Sequence, residues 1–182
     1  MNPQRVLQEI QWVAGFAAAF MLLHWLSMQA GPLFDIIPGS ISLLYLPAFL
    51  RVVSIMVAGI PGVVGIGIGG FLMSWAYHDR PALLSLAETT AACLAIVLAH
   101  TALRQAMGVA RPPITLGTLI TMTGVYCACN AVIHGLIWGL LNVDFTLAPW
   151  QLSLMMVGDL LGVVTMFLIS RIVIRRVRQL SL

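Results

Sequence analysis

Charge is scarce in this 182-residue chain: 8% of its residues are charged, against 60% that are hydrophobic. Lysine is missing altogether, so all nine basic side chains are arginines. With a mean hydropathy of +1.01, too little polar surface remains to face water, and the chain reads as an integral membrane protein. Long polar connections are missing too. What lies between the apolar runs is too short to bury a core of its own, and no linker, low-complexity tract or internal repeat is visible. Residues 1–182 therefore read as a single membrane domain, with the lipid bilayer as its first partner and no role for nucleic acid.

Cysteine is sparse and badly placed for chemistry. Cys127 and Cys129 stand two apart on one expected helix and face different directions, so they cannot grip a metal together, and with Cys93 they imply no disulfide framework. No Ser–His or Cys–His pair can be aligned in depth with a third partner, and these thiols lie in apolar runs where they are unreactive. Neither an enzyme nor a bound cofactor is expected. The segment 59–70, GIPGVVGIGIGG, superficially suggests a phosphate loop, but the Lys and Ser/Thr that such a loop needs do not follow it. A tight turn into a closely packed helix is expected there instead.

Apolar runs are abundant. A helix needs about 20 mainly apolar residues to cross a hydrocarbon core of about 30 Å, and six runs qualify: Ile10 to Gln29, Ile41 to Ala58, Pro61 to Tyr77, Ala82 to Leu103, Thr115 to Leu141 and Trp150 to Ile172. The expected fold is an all-α polytopic bundle of six transmembrane helices. Arg5, Arg104, Arg111, Arg171, Arg175, Arg176 and Arg178 fall on one side, and Arg80 with Asp35, Asp79 and Asp144 on the other. The positive-inside bias then places both termini in the cytoplasm of a cell bounded by an inner, plasma membrane. The first span, with Arg5 and Glu9 before it and no small-residue cleavage site after it, reads as a retained signal anchor. Pairs of small residues four apart (Ala14 and Ala18, Gly65 and Gly69, Gly135 and Gly139, Gly158 and Gly162) suggest close helix contacts within the bundle or with a partner protein.

Ionisable residues inside these runs are costly unless paired or hydrated. Arg51 and Asp159 both fall near mid-membrane, which predicts an intramembrane ion pair, or else contact with a charged ligand or a proton pathway. Nearer the outer side, His24, Glu88 and His134 approach one level from three helices, with Asn130 one turn below His134 and Trp138 one turn above it. Converging faces would make an outward-opening polar pocket for a small molecule; ordinary interhelical hydrogen bonding is the plainer alternative. Two imidazoles and a carboxylate could also take a metal, but no local ligand pair makes that specific, and no metal is assigned. His100, near the other end of its helix, reads as a boundary residue.

Two resemblances bear on function. The run from Leu44 to Arg51, LYLPAFLR, with Gly59 and the glycines 65–69 after it, resembles the aromatic-x-Pro-small signature and Gly-rich helix of MASE-type membrane-associated sensor domains; Val157 to Gly162, VGDLLG, resembles their closing Gly-Asp-x-x-Gly signature. That resemblance implies a sensory input module. Such domains feed histidine kinases or diguanylate cyclases, and many have two more spans; this sequence ends at Leu182 without an output domain, so a separate membrane or cytoplasmic protein partner is expected to receive the signal. The Pro47 region, the Gly-rich third span, the Ala14/Ala18 pair and the Gly158–Asp159 helix are also similar to the substrate-binding subunit of energy-coupling factor transporters, which implies docking on a transmembrane partner through the Ala pair. A non-catalytic accessory subunit of a membrane complex is the third expectation.

Overall fold

The computed structural model describes residues 3–37, 41–141 and 149–180. Among them are six α-helices: α1 (Pro3–Phe34), α2 (Pro47–Ala58), α3 (Ile60–Leu72), α4 (Ala82–Met107), α5 (Leu116–Leu140) and α6 (Pro149–Leu180). A π-helical turn, Met73–Tyr77, extends α3, and a short antiparallel pair, β1 (Asp35–Ile37) and β2 (Ile41–Ser42), follows α1. The chain is an all-α bundle. Five of its helical segments are long and apolar enough to cross a membrane. Exposed leucines, isoleucines and valines occur on every helix, among them Leu22, Val57, Val64, Leu94, Val132 and Leu168. A surface so apolar all round suits lipid rather than water.

The second crossing departs from expectation. Instead of one helix over Ile41 to Ala58, the chain is non-helical from Ile41 to Leu46, a two-residue strand followed by a bend and a turn, and becomes helical at Pro47, giving a helix of 12 residues, about 18 Å at the usual rise. Proline explains the break, because it lacks the N–H a continuing helix needs and its ring crowds the carbonyl four residues back, whereas the first helical position tolerates both. The direction of the neighbours shows that the stretch still crosses. Gly65 packs against Val13 and Phe16, and Gly69 against Ala17 and Phe20. The contacts advance together along both helices, so α1 and α3 run the same way and the chain must return between them. Gly59, at φ 66°, then turns α2 directly into α3.

Backbone left non-helical at membrane depth is tolerated only where protein satisfies it. Here Tyr45 N donates to the Gly158 carbonyl (3.2 Å), Leu43 N to Phe34 (2.9 Å) and Leu44 N to the Ser42 hydroxyl (3.3 Å). Space for this stretch comes from α6. A Cβ on Gly158 would strike the Ser42 carbonyl, and one on Gly162 the Tyr45 carbonyl. The Gly158/Gly162 pair thus admits a non-helical stretch of chain and not a helix. Ala14, Ala18, Gly135 and Gly139 are exposed, with open space beside the two glycines. Of the expected stripes, the Gly65/Gly69 pair alone joins two helices within the bundle.

The short α2 touches every other helix. Its Ala48, Val52 and Ile55 form the centre of the core with Ala95, Ile96 and Ala99 of α4, Leu119, Met122 and Tyr126 of α5, and Val163 of α6. Arg51 projects from that central helix.

Candidate functional site

Arg51 lies in α2, just over one turn past the point at Pro47 where the second crossing becomes helical. Its Nη1 donates to the hydroxyl of the fully buried Tyr126 (2.7 Å) and its Nη2 to Tyr45 Oη (3.3 Å). Its guanidinium carbon stands 5.1 Å from the Tyr45 ring centroid and 5.5 Å from that of Phe20, close enough for cation–π attraction. Nε is buried without a partner. Asp159, 7% exposed, accepts from the Cys127 thiol at 3.5 Å. The expected ion pair is therefore not made directly: the guanidinium bonds two hydroxyls and the carboxylate a thiol, although each charge lies within electrostatic range of the other. Equal depth did bring Arg51 and Asp159 into one layer, but consecutive residues of α5 intervene, Tyr126 taking the cation and Cys127 the carboxylate.

Beside Asp159 is a cleft of about 10 Å³, room for roughly one water, lined by Cys127, Asn130, Ala131, Met155, Met156 and Asp159. Asn130 is 5% exposed, and its side-chain oxygen is buried without a partner.

The residues expected in one outer pocket divide among three neighbourhoods. His24 joins the tyrosine layer, with Nδ1 3.2 Å from Tyr45 Oη and Nε2 3.1 Å from His78 Nε2. Glu88 takes Arg80 Nη1 on both oxygens, at 2.9 and 3.0 Å, and lies within electrostatic range of His78 and His134. His134 Nδ1 donates to the Asn130 carbonyl, one turn back (3.0 Å), while the Asn130 side chain belongs to the Asp159 cleft. The Trp138 side chain and Asp144 lie outside the described residues. His78 follows the last turn of the third span, where burial and the nearby Arg80 hold its imidazole below the usual range, with Glu88 opposing.

Tyr45, Tyr126, His78 and Arg80 carry much of this network and are not among the site residues expected from the sequence, where Arg80 bears only on topology and Tyr45 only on the resemblance. Tyr45 stands six residues before Arg51 in the LYLPAFLR run, and a phenol so near an intramembrane arginine is the one local signal that could have found it. Tyr126, 75 residues away, has no such signal. Among the described residues, no three His, Cys, Asp or Glu side chains are grouped to hold a metal. In comparisons with known proteins, no family model, curated protein or solved structure matches this chain.

Proposed function

We propose that this protein is a multi-pass sensory module of a cell's inner membrane that binds a small ligand and passes the change to a separate protein. The observation that carries the reading is the broken second crossing beside Arg51. In membrane proteins, discontinuous helices and intramembrane charges mark binding centres, because the irregular backbone and the charge both need a reason to persist in hydrocarbon. Arg51 is held by neutral hydroxyls and by ring faces, with its Nε–H unused. A guanidinium held in that way keeps its charge for an incoming anionic group, such as a carboxylate or phosphate. Since α2 touches every other helix, a ligand that moved Arg51 would move the middle of the bundle.

Thermal shift of the detergent-solubilised protein tests this against vitamins, amino acids, nucleobases, small carboxylates and phosphates. At a hundredfold excess over Kd, a true ligand stabilises by about 2.7 kcal/mol. The gain should vanish in Arg51→Gln and persist in Glu88→Gln. Stabilisation that survives Arg51→Gln would put the ligand elsewhere.

One observation favours a second reading, the substrate-binding subunit of an energy-coupling factor-type transporter. Ala14 and Ala18 are both exposed on α1, as a docking face of that kind requires. Mild-detergent co-purification followed by mass spectrometry separates the two: a kinase or cyclase partner supports sensing, and an ATPase pair supports transport.

A further inference from the structure

A hydrogen-bonded chain runs from His78 into the bundle: His78 Nε2 to His24 Nε2 at 3.1 Å, His24 Nδ1 to Tyr45 Oη at 3.2 Å, and Tyr45 Oη to Arg51 Nη2 at 3.3 Å. Its two ends are chemically unequal. A guanidinium only donates, so Tyr45 Oη accepts from Arg51 and keeps one proton to give. The neighbour placed to take that proton is His24 Nδ1. With Nδ1 accepting, a neutral His24 carries its own proton on Nε2 and donates it to His78 Nε2. Every contact is then satisfied, and all the donors point one way, from Arg51 toward His78.

A proton arriving at His78 breaks that order. A protonated imidazole donates from both nitrogens, so two N–H groups would face each other across 3.1 Å. Relief comes when His24 changes tautomer: its Nε2 proton is released to water and another is taken up from water on Nδ1, so His24 stays neutral and, with the proton on His78, the pair gains one proton overall. His24 Nδ1–H then points at Tyr45 Oη, which must accept from His24 and Arg51 together while its own proton loses its acceptor. We propose that His78 and His24 form a proton-binding site whose filling reverses the polarity of this chain and loosens the hold of Tyr45 on Arg51.

The surroundings suit such a site. His78 faces His24 from α1, Arg80 from its own loop and Glu88 from α4; His24 faces Phe20 on its own helix, Tyr45 and Arg51 from the second crossing, and His78. Arg80 is held by both oxygens of Glu88, which offsets its repulsion of a second cation. His78 lies just past the third span and keeps part of its surface exposed, so protons from water can reach it. Because burial holds this imidazole below its usual range, the site fills on acidification. Only the consequence for a ligand at Arg51 rests on the function proposed above.

Histidine-selective 15N labelling, with NMR of the protein in lipid nanodiscs from about pH 8 to about pH 4, reads each ring nitrogen directly. His24 should pass from the Nε2–H to the Nδ1–H tautomer with the same midpoint as the protonation of His78. In His78→Gln it should keep one tautomer throughout. His134, whose Nδ1 is tied to the Asn130 carbonyl, serves as the internal reference. If His24 kept its Nε2 proton while His78 titrated, or the two responded at unrelated midpoints, the coupling would be refuted. No ligand is present in this measurement, so its failure is distinguishable from failure of the thermal-shift test.

Discussion

Arg80 and Arg51 compensate their charges in opposite ways. Arg80, past the end of the third span, has a complete carboxylate partner in Glu88, with side-chain exposures of 38% and 14%. Arg51, half-buried in the middle of the bundle with its Nε fully enclosed, has two phenols and two aromatic faces, and its nearest mid-membrane carboxylate is given to a thiol. Where water helps, the pair is closed and the arrangement is sufficient by itself. Where water is excluded and the cost of an unclosed charge is greatest, the pair is left open. An open arrangement at the costlier position is what a binding or switching centre requires and a mere staple does not.

The largest test of this contrast is removal of each arginine. Arg51→Ala should cost about 1–3 kcal/mol, since it leaves the fully buried Tyr126 hydroxyl without its partner, strips one bond from Tyr45 and removes the cation nearest Asp159. Arg80→Ala should cost about 1 kcal/mol or less, because a partly exposed pair is screened. Adding Asp159→Asn to Arg51→Ala should recover part of the loss if the two charges sense each other across Tyr126 and Cys127. Chemical unfolding in detergent reads all of these variants. Equal costs for the two arginines would remove the distinction between a closed pair and an open one.

Next in size are the glycines that admit the broken crossing. Gly162→Ala places a methyl where the Tyr45 carbonyl already stands. Overpacking of this kind costs about 1–3 kcal/mol, and it should also disturb the Arg51 layer through Tyr45. Gly139→Ala, with open space around it, should leave unfolding unchanged. A tolerant Gly162 would mean that the non-helical stretch can leave α6 freely, and the break would lose its structural anchor.

These same glycines show which features the sequence made legible. Ala14/Ala18, Gly65/Gly69, Gly135/Gly139 and Gly158/Gly162 are alike as patterns, since four-residue spacing places two small residues on one helix face. It does not say what that face meets, and here the answers are another helix, a non-helical stretch or the outside. Depth behaves in the same way. Counting residues along α2 and α6 placed Arg51 and Asp159 in one layer, but depth is a single coordinate, and the angular position of Tyr126 and Cys127 decides that the charges do not touch. Apolar runs gave the helices, because any crossing segment must carry one; the break at Pro47 was hidden inside such a run, as a non-helical stretch of the crossing is equally apolar. His24 was legible as a polar residue within a span. His78 was not, since it falls one residue beyond the end of the expected third helix.

The smallest expected effect concerns pH. Because the folded protein holds His78 below the ordinary imidazole range, the unfolded chain binds more protons between the folded value and about 6.5. Stability then rises with pH across that window and falls as the solution is acidified through it. The loss is complete only below the folded value, where both states are protonated. Melting temperature in detergent, followed from neutral pH downward, should therefore decline, and His78→Gln should flatten the decline because nothing at that position then titrates. Glu88→Gln sharpens the comparison with which the two arginines began. It removes the anion that favours the charged imidazole and frees Arg80 to repel it, so the decline should extend to lower pH than in the unaltered protein. If Glu88→Gln moved the decline to higher pH, Arg80 and Glu88 would not be acting on His78 as a closed pair beside it.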